Sequence, residues 1–240
     1  MIEMSERRPT PVPMPAKTKA TPAPPVPIPP RAQRRFNAFQ EQCRQLSLQL
    51  FFDAHAPLRS LGITSAIPGE GKTFLASVIA STLANDTEET VVLAECNWEH
   101  PTIHNYFGIP ASPGLAEWQR GECTAQEARR YVGENLIVIP AGHADRHAAR
   151  LLHQMRERPI GGAIARPREL LVLDLPAIAT TAYGALAASL VEAVLLVVRA
   201  GVTPRPAVAG ACAQLKGVPL KGIVLNRIES QIPGWIREVL

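Results

Sequence analysis

Short, unbroken apolar runs alternate with amphipathic stretches along most of this chain. The runs at Leu61–Thr64, Val91–Ala94, Leu136–Ile139, Leu170–Leu173, Ala193–Val198 and Gly222–Leu225 are aliphatic and rich in β-branched residues. Runs of this kind, without polar alternation, are the mark of strands buried on both faces. Apolar positions recur with a helical period over Thr73–Ala84, His147–Arg158, Ala182–Leu190 and Ala207–Lys216. Strand and helix in alternation predict an α/β fold with a doubly wound, mostly parallel sheet covered on both faces. Ligands of such sheets sit beyond the carboxyl ends of the strands, which puts residues 65–73, 95–101, 174–176 and 226 around one site.

Between the first run and the first helix stands Ser65-Ala66-Ile67-Pro68-Gly69-Glu70-Gly71-Lys72-Thr73. A phosphate-binding loop needs backbone N–H groups converging at a helix N-terminus, a Lys reaching the β- and γ-phosphates, and a hydroxyl for Mg²⁺. Gly69, Gly71, Lys72 and Thr73 supply these parts, and Ala66 stands where the strict pattern has its first Gly. An ordinary Gly-rich turn is the plain alternative, but the flanking strand and helix favour nucleotide binding by Pro68, Gly69, Glu70, Gly71, Lys72, Thr73 and Phe74.

Composition adds an N-terminal tail to this picture. Ten of the 23 prolines fall in residues 1–30, a density that resists helix and sheet and favours extended conformations. Residues 1–35 therefore read as a disordered Pro-rich basic tail, and residues 36–240 as the folded domain. Seven Lys and Arg against Glu3 and Glu6 make the tail +5, so 36–240, within a total of +4, carry −1. A basic arm can touch anionic lipid or nucleic acid, or serve as a solubilising spacer. No apolar run reaches the length of a membrane span and no signal-peptide h-region is present, so a cytoplasmic protein is expected. Cys43, Cys96, Cys123 and Cys212 are scattered and suit reduced structural thiols. His143 and His147, four apart around Asp145, lack a clear third ligand and read as a helix start rather than a metal site.

From Phe39 to about Glu229 the chain resembles the bacterial tyrosine kinases of exopolysaccharide and capsule synthesis, of the CpsD/CapB-like kind. These are a branch of the MinD/ParA-like P-loop ATPases. The resemblance rests on the loop itself, on Gly114-Leu115, on Pro140-Ala141-Gly142, and on Val197-Val198-Arg199-Ala200-Gly201 with Thr203. Leu170-Leu171-Val172-Leu173-Asp174-Leu175-Pro176 resembles the family's Walker B strand, whose terminal carboxylate is suited to holding Mg²⁺ and its water shell. Val224-Leu225-Asn226 resembles the strand end whose Asn contacts the adenine base. The resemblance thus implies ATP and Mg²⁺ as cofactors, Thr73 and Asp174 at the metal, Asn226 at the base, and catalytic roles for Lys72, Asp174 and, in altered form, Glu95.

Departures from the pattern are concentrated in Val91-Val92-Leu93-Ala94-Glu95-Cys96-Asn97-Trp98-Glu99-His100-Pro101, which aligns with a family motif of apolar strand, Asp-x-Asp, x, Arg, x, Pro. Glu95 keeps a carboxylate on a longer arm, Asn97 is neutral and cannot act as a general base, and Glu99 reverses the charge of the family's Arg. Glu41-Gln42-Cys43-Arg44-Gln45-Leu46-Ser47 resembles the Glu-x-x-Arg-x-x-Arg helix that packs subunits into rings, with Ser47 in place of the final Arg. The family's C-terminal Tyr cluster is missing: the chain has only Tyr106, Tyr131 and Tyr183, and it ends Pro233-Gly234-Trp235-Ile236-Arg237-Glu238-Val239-Leu240.

These features together imply an ATP-binding protein that regulates exopolysaccharide or capsule export, with slow or absent turnover. Two rivals stand beside it: an active kinase phosphorylating Tyr in trans, and a MinD/ParA-type positioning ATPase, which would want a Lys at Ile67. A membrane chain-length regulator is the expected partner, placing the chain at the inner face of the membrane. A homo-oligomer through the Glu41/Arg44 helix is allowed, and nucleic acid is not expected. Direct lipid binding through Trp235–Leu240 would be weak, since six residues are short and Glu238 opposes anionic headgroups; a helix docked on the domain is the preferred reading of that segment.

Overall fold

The computed structural model describes residues 30–144, 148–157 and 165–228. Seven strands form one sheet: β1 (Ser60–Ser65), β2 (Val91–Glu95), β3 (Arg130–Tyr131), β4 (Leu136–Ile139), β5 (Leu170–Asp174), β6 (Ala193–Arg199) and β7 (Leu220–Asn226). Their order is β3-β4-β2-β5-β1-β6-β7, and every pairing is parallel except that of β3 with β4. The doubly wound parallel sheet expected from the apolar runs is present. The six runs match β1, β2, β4, β5, β6 and β7, which extend by up to two residues at either end.

Helices α1 (Pro30–Phe51), α2 (Lys72–Asp86), α3 (Ile103–Phe107), α4 (Leu115–Arg120), α5 (Ala125–Ala128), α6 (Ala148–Glu157), α7 (Gly184–Ala188) and α8 (Arg205–Gln214) flank the sheet. One layer gathers Leu61, Ile63, Leu93 and Val172 of the sheet with Ile79 and Leu83 of α2 and Phe51 of α1. The opposite layer gathers Val92, Leu173 and Leu196 with Leu152 and Met155 of α6 and Ala211 of α8. Each Leu or Ile buried in these layers contributes about 1.5–3 kcal/mol. Helix α2 is buried on nearly every side, from Lys72 to Ala84, because it lies between the sheet and α1; a helix so placed is apolar all round.

Some boundaries differ from expectation. Helix α1 begins at Pro30, inside the stretch 1–35 assigned to the tail; proline is admissible in a first helical turn, where its missing N–H would have no partner. Residues 1–29 lie outside the described residues, as do His147 and the Trp235–Leu240 end. Strand β3 and the short helices α3, α4 and α5 carry too few residues to show a period, and β3 turns one margin of the sheet antiparallel. Arg44 of α1 reaches Asp86 at the end of α2 at 2.6 Å and Glu41 at 2.5 Å. In the described chain it therefore straps α1 to α2. Ser47 is buried, and its hydroxyl donates to the Cys43 carbonyl at 2.6 Å.

Candidate functional site

Strand β1 delivers the loop to the carboxyl edge of the sheet. Gly69 and Gly71 take φ of 82° and 96°, the left-handed region that disfavours side chains. At Gly71 space is lacking too: a Cβ there would lie 2.3 Å from Nδ2 of Asn226. Ala66 is fully buried, and its carbonyl accepts from Ala179 N–H at 3.0 Å. A methyl group is accommodated where the strict motif has Gly.

Glu70 is turned inward and nearly inaccessible. Its Oε2 accepts from Ile67 N–H at 2.7 Å, and its Oε1 accepts from Arg199 N–H at 3.0 Å and from the Thr203 hydroxyl. Its carboxylate thus braces the loop against the end of β6. Asn226, at the tip of β7, donates from Nδ2 to the Glu70 carbonyl at 2.8 Å, and its Oδ1 accepts from Arg227 N–H at 2.8 Å. Its amide therefore holds the loop from the side and borders the cleft, with both polar atoms engaged inside the protein.

Lys72 and Thr73 open α2 and are largely buried. The helix N-terminus directs unpaired N–H groups and partial positive charge into the cleft. Thr73 donates from Oγ1 to Oδ2 of Asp174 at 2.8 Å. Asp174 is fully buried, and its Oδ1 has no partner among the described residues. Burial pushes this carboxyl up to about 7; nearby Glu95 adds to the shift, and Lys72 and the Thr73 bond oppose it. A buried oxygen without a donor, beside a hydroxyl, fits a hard divalent cation.

Glu95 is the register partner of Asp174 on the adjacent strand. Its Oε1 accepts from Thr102 and Ile103 N–H at 2.6 and 3.1 Å, and its Oε2 accepts from Ala141 N–H at 3.3 Å. Burial raises its pKa and these three bonds lower it, with burial the larger. The structure gives this carboxylate a bracing role at the start of α3. Asn97 is buried at the cleft wall and donates to the His100 carbonyl at 3.0 Å. Glu99 is exposed, and one of its carboxylate oxygens accepts from the Thr181 hydroxyl at 3.2 Å.

Behind this loop Trp98 donates from Nε1 to the Ala141 carbonyl at 2.8 Å. Glu117 of α4 accepts from Gly114 N–H at 2.8 Å and His143 N–H at 3.0 Å. Burial pushes Glu117 up, but these and its other hydrogen bonds outweigh it and hold the carboxyl at about 2. Gly114 and Gly142 pack backbone to backbone: a Cβ on Gly114 would lie 2.5 Å from the Gly142 nitrogen. Tight packing accounts for the two glycine-bearing motifs, Gly114-Leu115 and Pro140-Ala141-Gly142. The His143 ring lies 3.1 Å from Glu117, and no cluster of three metal-ligating side chains occurs among the described residues.

The loop, Lys72, Thr73, Asn97, Glu99, His100 and Asn226 line one cleft of about 570 Å³, of a size that holds a nucleotide-class ligand. Phe74 and Tyr106 also line it, their ring centroids 6.4 Å apart, and Phe74 stacks on Phe39 of α1 at 5.5 Å. Tyr106 and Phe39 had no functional signal in the sequence, since each is a single aromatic outside any motif, and Trp98 falls at an unassigned position of the Glu95–Pro101 motif.

No family model matches the chain. It is similar to the tyrosine-protein kinase Etk of Escherichia coli K12, 27% identical over 171 residues that cover 70% of this chain. It spans 23% of the length of that kinase. It is also similar to the tyrosine-protein kinase YwqD of Bacillus subtilis, 25% identical over 190 residues, 78% of this chain and 80% of YwqD. The kinase domain of E. coli ETK superposes with a TM-score of 0.70 at 26% identity, covering 80% of this chain and 78% of that one. A Cyanothece McdA(D38A)-ATP complex superposes at 0.58 with 15% identity over 70% of each chain, a likeness of P-loop ATPase fold alone. The chain's relatives are bacterial tyrosine kinases, and its fold is theirs.

Proposed function

We propose that this chain binds ATP with Mg²⁺ in the cleft at Lys72 and regulates exopolysaccharide or capsule biosynthesis and export as a kinase relative with slow or absent turnover. One observation carries the reading: Thr73 donates to Asp174, whose other oxygen has no partner among the described residues, while Glu95 spends its carboxylate on three backbone N–H groups. Thr73 and Asp174 would hold the Mg²⁺, and the cation would supply neutralisation of phosphate charge. The loop N–H groups and Lys72 hold and orient the phosphates. Asn97 cannot accept a proton and Glu95 is engaged, so neither of these two positions offers a free general base.

The relatives' whole activity is not required for this role. The resemblance supports a membrane-embedded chain-length regulator as the partner that recruits the chain to the inner face of the membrane; no helix among the described residues is long and apolar enough to cross it. Calorimetry with ATP, ADP and Mg²⁺ tests the nucleotide reading. Binding at micromolar levels, about −8 kcal/mol, is expected, with strong weakening in Lys72→Ala. Equal affinity of parent and variant would show the loop to be merely structural.

A further inference from the structure

Glu99 puts a negative charge on the wall of a cleft whose loop is built for phosphate. It lines the cleft with Lys72 and Thr73 and is exposed, and its carboxylate accepts one hydrogen bond among the described residues, from the Thr181 hydroxyl at 3.2 Å. Thr181 is buried and so is a fixed post, whereas Glu99 is free to move on its surface side. A polyphosphate entering beside Glu99 meets like charge in a partly desolvated site, where repulsion is stronger than in water.

Two residues beyond Thr181, on the loop between β5 and α7, stands Tyr183. Its ring is half-buried and packs, with Trp98, against Ala116, Ala144, Ala148 and Leu151. Its hydroxyl is shut off from solvent and has no partner among the described residues. Burial pushes this phenol up to about 12, and nearby Glu99 and Cys96 add to the shift, so it stays protonated and able to donate. A buried hydroxyl without an acceptor costs free energy that a phenylalanine ring in the same space would not. The donor that lacks an acceptor and the carboxylate that faces incoming phosphate are thus neighbours.

We propose, resting on the nucleotide reading of the cleft, that Tyr183 is a positioning residue for its phosphate end: when polyphosphate enters, the Glu99 carboxylate leaves Thr181 and turns inward to accept from the Tyr183 hydroxyl. Glu99 keeps a hydrogen bond in both positions, and the swing withdraws its charge from the phosphates. A ligand moves such an equilibrium only by binding one arrangement better than the other, and the repulsion supplies that difference.

Calorimetry on the intact chain, with Mg²⁺ and ATP and with Mg²⁺ and inorganic tripolyphosphate, tests this through a double-variant cycle. Tyr183→Phe should weaken both ligands about tenfold, as for loss of one hydrogen bond to a charged group. Glu99→Gln keeps an acceptor for Thr181 and removes the charge, so it should bind at least as tightly as the parent. Adding Tyr183→Phe to Glu99→Gln should then change affinity by less than about twofold. Without ligand, Tyr183→Phe should melt at or above the Tm of the parent. An equal tenfold loss in both backgrounds, no loss in either, or weaker binding by Glu99→Gln would overturn the proposal. So would a lowered Tm of unliganded Tyr183→Phe, which would mean that the hydroxyl is already satisfied. A parent that binds neither ligand overturns the nucleotide reading and this role with it; a parent that binds them while the two substitutions act additively overturns the role of Tyr183 alone.

Discussion

Glu95 and Asp174 are paired in register at the tips of adjacent parallel strands, yet only Asp174 keeps an oxygen without a partner. The difference lies in what surrounds each carboxylate. Asp174 meets the Thr73 hydroxyl from one side, and Glu95 meets three backbone N–H groups that the sheet cannot satisfy.

Restoring the family's carboxylates should therefore separate chemistry from stability. The double variant Glu95→Asp, Asn97→Asp is expected to raise turnover of radiolabelled ATP, by up to about 10²–10⁴-fold where a general base is regained. The shorter side chain put in place of Glu95 loses at least one N–H bond, so the same protein should be less stable by about 1–3 kcal/mol in denaturant titration. Robust phosphotyrosine on the unmodified chain would contradict slow turnover.

Gly71→Ala should damage the loop in two ways. The residue sits at φ 96°, and its Cβ would meet the Asn226 amide at 2.3 Å. The backbone strain alone costs about 1–2 kcal/mol, and the displaced Asn226 releases the Glu70 carbonyl. Calorimetry should show weakened nucleotide binding alongside a lowered Tm; binding and Tm both unchanged would mean the loop relaxes freely.

Glu117 makes stability depend on acid pH. Its carboxyl is held at about 2 in the fold against an ordinary 4.5, so its contribution is complete above about 4.5 and disappears as pH falls toward 2. That contribution is on the order of 2–3 kcal/mol. Chemical denaturation of the parent between pH 5 and 2 should show this slope, and Glu117→Gln should flatten it. Identical slopes in the two proteins would remove Glu117 from the account.

Membrane recruitment should follow the folded domain. Because α1 begins at Pro30, the informative deletion removes residues 1–29 and spares the helix. Fractionation of cells with and without the polysaccharide gene cluster should show association that needs the cluster and tolerates the deletion. Association that ignores the cluster and vanishes with residues 1–29 would instead assign recruitment to the basic arm.

Legibility from sequence followed the range of the interactions involved. Strands β1, β2, β4, β5 and β6 were readable because burial on both faces demands unbroken apolar runs. Thr73 and Asp174 were readable because a hydroxyl after Lys72 and a carboxylate at a strand tip are local patterns. The roles of Glu95 and Glu70 were not, since each depends on backbone N–H groups brought up by distant elements: Ala141 for one, Arg199 for the other. Asn226 was placed correctly at the cleft, but its bonds to Glu70 and Arg227 could not be foreseen from a strand end.

The brace from Glu70 to Arg199 and Thr203, with Asn226 beside it, sets a timetable for the protein's synthesis. The loop leaves the ribosome early, whereas the groups that shape it come 129 to 156 residues later. Domains fold as units while the chain emerges from its N-terminal end, so a nascent chain halted before β6 carries the whole phosphate-loop signature without its cradle. On the proposed function, competence to hold a phosphate would arrive only with the last two strands.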